Sequence, residues 1–173
     1  MSELFTIRAA RLSDAPQIAV HRARMFQDMG LVPDELFDSY RERCETRLRE
    51  MLATGEYVGW LASRKKAPDD ILAGAGVQLR RVLPHPAGDL ETGITIAQGR
   101  HAIIINVFTE PPWRRHGLAT LLLDEIIRWA GNERLDRLVL HASDEGRRVY
   151  ERLGFISTNE MRYSGRLEPD AIP

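Results

Sequence analysis

The stretch from His101 to Thr109, His-Ala-Ile-Ile-Ile-Asn-Val-Phe-Thr, constrains this chain more than any other. A strand that is almost continuously apolar, rather than alternating, has both faces covered and lies centrally in a sheet. The next residues are equally restrictive. Glu110-Pro111-Pro112-Trp113-Arg114-Arg115-His116-Gly117 forms a polar, glycine-ended turn, and Leu118, Leu121, Leu122, Ile126 and Trp129 then recur at helical spacing. The spacing predicts an amphipathic helix from about Gly117 to Ala130, with Gly131 as its stop. A central strand entering a helix through such a turn implies an α/β architecture.

The remaining segments fit that frame. Leu4 to Ala9 alternates like a strand. Ser13 or Asp14 caps a helix, with Pro16 in its first turn, that reaches about Met29 and ends at Gly30. Pro33 and Asp34 open a second helix, which carries Leu36, Tyr40, Leu48, Met51 and Leu52 and closes at Gly55. Tyr57 to Arg64 and Ile71 to Leu83 read as a hairpin across Ala67 to Asp70. Pro84 to Arg100, rich in proline and glycine, reads as a long connection with a short strand at Ile94 to Ala97. Leu135 to His141 is a strand, Asp144 to Leu153 a helix, and Phe155 to Leu167 one or two strands. The order βααβββ(β)αβαβ predicts a mixed six- or seven-stranded sheet flanked by about four helices. With 173 residues and 43% hydrophobic content, residues 1–173 are expected to form a single domain.

Charge and cysteine content narrow the function classes. The 24 basic and 25 acidic side chains leave a net charge of -1, which does not fit a binder of nucleic acid or of an anionic membrane surface. Cys44 is the only cysteine, so no internal disulfide is available, and the five histidines lack metal-ligand spacing. Neither a leader-like start nor a run of about 20 apolar residues is present, so a cytoplasmic protein without a metal is expected.

Backbone amides in the first turn of a helix have no partner within it. At Gly117 and Ala119 little side-chain bulk covers them, so an anionic group can approach the positive end of the helix dipole. Arg114, Arg115 and His116 add positive charge, and a pyrophosphate suits the place. Other readings fail on spacing. The turn lacks the Gly-Lys-Ser/Thr ending of a P-loop, and Gly74-Ala75-Gly76 lacks the third small residue of a dinucleotide fingerprint. His141, Ser143 and Asp144 do not make a hydrolase, because sequence neighbours rarely assemble a triad and no Gly-x-Ser-x-Gly elbow exists.

Arg114-x-x-Gly117-x-Ala119, preceded by Asn106-Val107-Phe108-Thr109-Glu110-Pro111-Pro112-Trp113 and followed downstream by Tyr150-Glu151-Arg152-Leu153-Gly154-Phe155, resembles the GNAT acyltransferase superfamily. Asp144 and Arg147 depart from the asparagine and alanine that many relatives carry in the last helix. The resemblance implies a GNAT fold and an acetyl-CoA-dependent N-acetyltransferase, with acetyl-CoA bound by Val107, Thr109, Arg114, Arg115, His116, Gly117, Leu118, Ala119 and Thr120. It implies pairing of the pantetheine arm with the backbone near Val107 and Thr109, a backbone oxyanion donor at Val107 or Phe108, and Tyr150 as the acid that protonates the departing thiolate. The acceptor, a small-molecule or peptide amine, would meet Arg24, Phe26, Asp28, Met29, Asn159 and Met161. Glu110, His21, His101 and His141 are base candidates whose structural roles are at least as natural. By analogy, exposed strands near the C-terminus offer a route to a homodimer. The rival to an enzyme is a sensor that binds acyl-CoA without transferring anything.

Overall fold

A computed structural model describes residues 4–89, 91, 93–158, 160 and 161. The chain divides into two compact units, Met1–His141 and Ala142–Pro173. In the first, strand β1 (Phe5–Ala9) leads through a short 3-10 turn into helix α1 (Ala15–Asp28), and helix α2 is Phe37–Thr54. Strands β2 (Tyr57–Arg64), β3 (Ala67–Arg81), β4 (His85–Asp89), β5 (Gly93–Ala97) and β6 (Arg100–Thr109) follow. Helix α3 (Leu118–Asn132) and strand β7 (Arg137–Leu140) complete it, and the second unit contributes helix α4 (Arg147–Arg152).

Among the described residues five strands form the main sheet in the order β1-β2-β3-β6-β7, while β4 and β5 pair only with each other. The sheet is mixed, with antiparallel pairing throughout except for the parallel pair β6-β7. Among the described residues it has five strands, where six or seven are expected of the whole sheet. The segment expected to be mostly connection is instead a hairpin, with His85 opposite Ala97 and Asp89 opposite Gly93. Gln98 and Gly99 then lead into β6. Of the expected C-terminal strands, Phe155–Thr158 is not extended into a ladder, and residues 159 and 162–167 lie outside the described residues.

Packing follows the periodicities. Ala15, Ile18 and Ala19 of α1 meet Leu48 and Met51 of α2 over Tyr57 and Leu61 of β2, forming one buried cluster. Alternation along β2 sends Trp60 to the other face, where its ring stands 5.3 Å from that of Trp129 on α3. On α3, Leu118, Leu122, Leu123, Ile126 and Ala130 are buried. In β3, small residues let the layers close: a Cβ on Gly76 would collide with the Tyr57 ring and hydroxyl.

Helix α3 runs through Gly131 instead of stopping there. The left-handed residue that terminates it is Arg134 (φ 52), where Arg134 N donates to Gly131 O at 3.0 Å and Leu135 N to Ala130 O at 3.0 Å. That is the hydrogen-bond pattern glycine usually closes, here completed by arginine.

Candidate active site

The central strand changes character halfway along. Its parallel partner β7 accompanies it only from His101 to Ile104, which faces Leu140. Beyond that point, from Ile105 to Thr109, no described strand pairs with this side of β6. On the other side, Gly74 of β3 faces Phe108 while Gly76 faces Ile105, so Asn106 and Val107 together oppose Ala75. This is a β-bulge, which bends a strand and re-aims the groups around it. Glu110 N donates to Leu72 O at 2.8 Å. Strand alternation therefore turns the Phe108 main chain toward β3 and the Thr109 main chain outward.

Asn106 makes the bulge possible. Its φ of 59 lies in the left-handed region, which asparagine tolerates better than most side chains. The residue is 3% exposed, and both ends of its amide are used. Nδ2 donates to the Tyr57 hydroxyl at 3.4 Å, and Oδ1 accepts from Arg22 Nη1 of α1 at 2.5 Å. Burial pushes the Tyr57 phenol up to about 12, so it remains a neutral acceptor.

Glu110, just past β6, is held from α1. Its Oε1 accepts from Arg24 Nη1 at 2.5 Å and lies 3.4 Å from His21 Nε2. His21 is 1% exposed, its ring centroid 5.0 Å from that of Phe108. Burial, reinforced by the charge of Arg24, lowers its pKa to about 4. At neutral pH the His21–Glu110 contact is thus not an ion pair. Protonation is opposed in the folded state and free in the unfolded one, where histidine titrates near ~6.5. Stability attributable to His21 is therefore complete above that value and declines as pH falls toward 4, by about 3 kcal/mol in total. We expect His21→Gln to flatten this part of the unfolding-temperature curve. Equal slopes in both proteins between pH 6.5 and 4 would remove the assignment.

The turn after β6 is anchored by Trp113. Its ring meets Phe5 edge-on at 6.1 Å and lies under Arg64, whose Cζ is 5.3 Å from the ring centroid. Two left-handed residues follow, Arg115 (φ 65) and Gly117 (φ 79). The first main-chain bond into α3 runs from Leu121 N to Gly117 O at 3.0 Å. Hence the amides of Leu118, Ala119 and Thr120 have no main-chain acceptor within the helix, and together with the left-handed turns they form a concave donor surface. Leu118 itself is buried, so it offers only its main chain there. His116 Nδ1 lies 2.8 Å from Arg114 O; a carbonyl only accepts, so that nitrogen carries the proton.

Arg114 is engaged from α1. Its guanidinium pairs with the Asp28 carboxylate of α1, donates through Nε to Thr109 O at 3.1 Å, and stands 5.8 Å from the centre of the Phe108 ring. A cofactor candidate and an acceptor candidate are thus bound to each other. Among the other expected acceptor residues, Arg24 holds Glu110, and Phe26 stands edge-on to Tyr40 at 5.9 Å. Met29 is half exposed, Met161 is exposed, and Asn159 lies outside the described residues. Sequence reasoning missed Arg22, Asn106 as a side chain, and the clustering of His21 with Glu110.

Tyr150 lies in the second unit, on α4. Its ring meets Phe155 at 6.1 Å, and burial raises its phenol above the usual value. Among the described residues no group of three or more histidine, cysteine or acidic side chains is placed to hold a metal, and no helix is long and apolar enough to cross a membrane.

Comparison with known proteins places this arrangement. Residues 18–155 match the model of the acetyltransferase (GNAT) family. A GCN5-related N-acetyltransferase from Ralstonia eutropha JMP134 is 25% identical, with a TM-score of 0.77 over 92% of this chain and 97% of that one. A predicted acetyltransferase from Clostridium acetobutylicum, solved with acetyl-CoA, is 26% identical, with a TM-score of 0.75 over 94% and 96%. Glucosamine-6-phosphate N-acetyltransferase from Arabidopsis thaliana shares the fold at 18% identity, with a TM-score of 0.64 over 96% and 100%. No curated protein matches the chain. With the family model covering most of its length and the split central strand opening beside a glycine turn, the chain belongs to the acetyltransferase (GNAT) family.

Proposed function

We propose that this protein transfers the acetyl group of acetyl-CoA to a primary amine by direct attack. The observation that carries the reading is the juxtaposition, in one turn of chain, of the half of β6 that has a described strand on one side only with the open amides at Gly117. A diphosphate fits those amides: the donors converge, the helix dipole favours an anion, and Gly117 presents no side chain. The outward main chain of Thr109 suits an amide-bearing arm lying along β6 in the manner of an added strand. Arg115, exposed, adds positive charge at the same turn, where His116 is exposed beside it. Arg114 is engaged by Asp28, so the cradle relies first on main chain.

In the reaction the amine nitrogen bonds to the thioester carbon and the C–S bond breaks. The developing oxyanion requires a fixed donor. Val107 fits this role better than Phe108, whose main chain is turned toward β3. The thiolate takes a proton from the Tyr150 hydroxyl, which is then restored from solvent, and the ammonium loses its proton to water. Tyr150 is assigned by its place in the Tyr-x-x-x-Gly-Phe block of the family. The family model crosses from the first compact unit into the second, which supports reading both as parts of one acetyltransferase domain.

The reading is tested by incubating the protein with acetyl-CoA and a panel of primary amines and following free thiol. We expect release that depends on the acceptor. Saturable coenzyme A binding without such release across a broad panel would make the protein a sensing module instead.

A further inference from the structure

Helix α1 sends three arginine or aspartate side chains to the β6 region whose partners differ in one respect. Arg24 is neutralised by Glu110, and Asp28 by Arg114. Arg22, between β6 and α2, is not neutralised. Its guanidinium donates to the Asn106 amide oxygen at 2.5 Å, has the Tyr40 phenol nearby, and its Cζ lies 4.9 Å from the centre of the Phe26 ring. All three are neutral. Burial raises the Tyr40 phenol, which keeps it uncharged at neutral pH. Among the described residues no carboxylate is within ion-pair reach of Arg22.

The half-buried guanidinium is thus surrounded by neutral groups and has N–H donors left over that an anionic ligand can use. Its position is built. Asn106 Nδ2 is fixed by the buried Tyr57 hydroxyl, which aims Oδ1 at Arg22, and the Phe26 ring backs the guanidinium plane. Arginine also has five N–H donors in a planar fork, matched to a carboxylate. Its partner Asn106 is the immediate neighbour of Val107, where the thioester carbonyl would be held.

We infer that Arg22 selects the acceptor, and that the acceptor is an amine carrying a carboxylate within a few bonds of its nitrogen, such as an amino acid or a peptide terminus with an adjacent acid. The inference rests on the acetyl-transfer reading for what happens to the amine, but its own content is a binding preference.

That separation sets the test. Binding of matched pairs, α-, β- and γ-amino acids against their carboxamides, is measured by calorimetry on protein saturated with coenzyme A. At least one acid is expected to bind ten-fold or more tightly than its amide. Arg22→Gln, which still offers a donor to Asn106, should bring the members of that pair within two-fold of each other, and Arg22→Lys should restore part of the difference. Asn106→Asp gives a second handle, because aspartate also tolerates the left-handed backbone and would place an internal carboxylate against Arg22. It too should abolish the preference while Arg22 is present. If no acid outbinds its amide, or if the preference survives both Arg22→Gln and Asn106→Asp, the inference is overturned. Thiol release from acetyl-CoA, scored on the same amines, judges the transferase reading separately: acid-selective binding without release would sustain the Arg22 assignment and remove catalysis.

Discussion

Replacing Gly117 by aspartate is expected to weaken coenzyme A binding at least 100-fold. Two effects add. The residue sits at φ 79, where most L side chains cost roughly 1–2 kcal/mol and aspartate somewhat less, and relaxation to an ordinary conformation would rotate the amides proposed to face the ligand. The new carboxylate also stands beside the diphosphate, where a like charge at about 4 Å with an effective dielectric of about 20 costs on the order of 4 kcal/mol. Gly117→Ala isolates the first effect and should weaken binding only about 5- to 30-fold. Calorimetric titration with coenzyme A at low and high salt distinguishes the two. The additional loss in the aspartate variant should shrink as salt rises, whereas the loss shared with alanine should not. Affinity unchanged by Gly117→Asp in a normally folded protein would mean that the diphosphate binds elsewhere.

Replacing Tyr150 by phenylalanine should lower kcat by two orders of magnitude or more, the scale of a positioned general acid, while the coenzyme A dissociation constant changes by less than two-fold. Burial raises this phenol, which has opposite consequences for availability and driving force. The proton is retained at ordinary assay pH, but giving it to a thiolate, the conjugate base of a stronger acid than a phenol raised above its usual value, is uphill. Transfer must therefore accompany C–S cleavage rather than precede it. The alkaline limb of the kcat profile should lie on the alkaline side of an ordinary tyrosine and vanish in the variant. A kcat reduced less than five-fold would remove the proton-donor role and leave Tyr150 as a ring packed on Phe155.

What could be read from the sequence was what local rules control. The course from β6 through Gly117 into α3 is written in a change of hydrophobic period and in one residue free to turn left-handed. Two local signals misled. Pro84 and Pro86 with Gly88, Gly93 and Gly99 look like connection, yet β4 and β5 pair, with Gly88 and Gly93, both at φ 92, at the closing end of the ladder. Proline is tolerated because β4 has only one partner strand. Gly131 looks like the end of α3, but the left-handed role falls on Arg134. The site's side-chain chemistry was illegible for another reason. Arg22 and Asn106 are 84 residues apart and Tyr57 and Asn106 are 49 apart, and no local pattern joins such residues before the register of the strands is known. Arg114 and Asp28 each stand out, but for different ligands, because sequence gives no hint that α1 lies against the turn after β6.

Helix α1 is fastened to the donor side of the site at three successive points, Arg22 to Asn106, Arg24 to Glu110 and Asp28 to Arg114. Residues sharing one polar network do not contribute independently to stability or binding. On the proposed reading, substitutions on α1 that retune the acceptor will therefore also disturb the strand and turn assigned to the acyl donor. In a lineage of such proteins, a switch of substrate on this helix calls for compensating changes around residues 106 to 114, so that the two halves of the site evolve together.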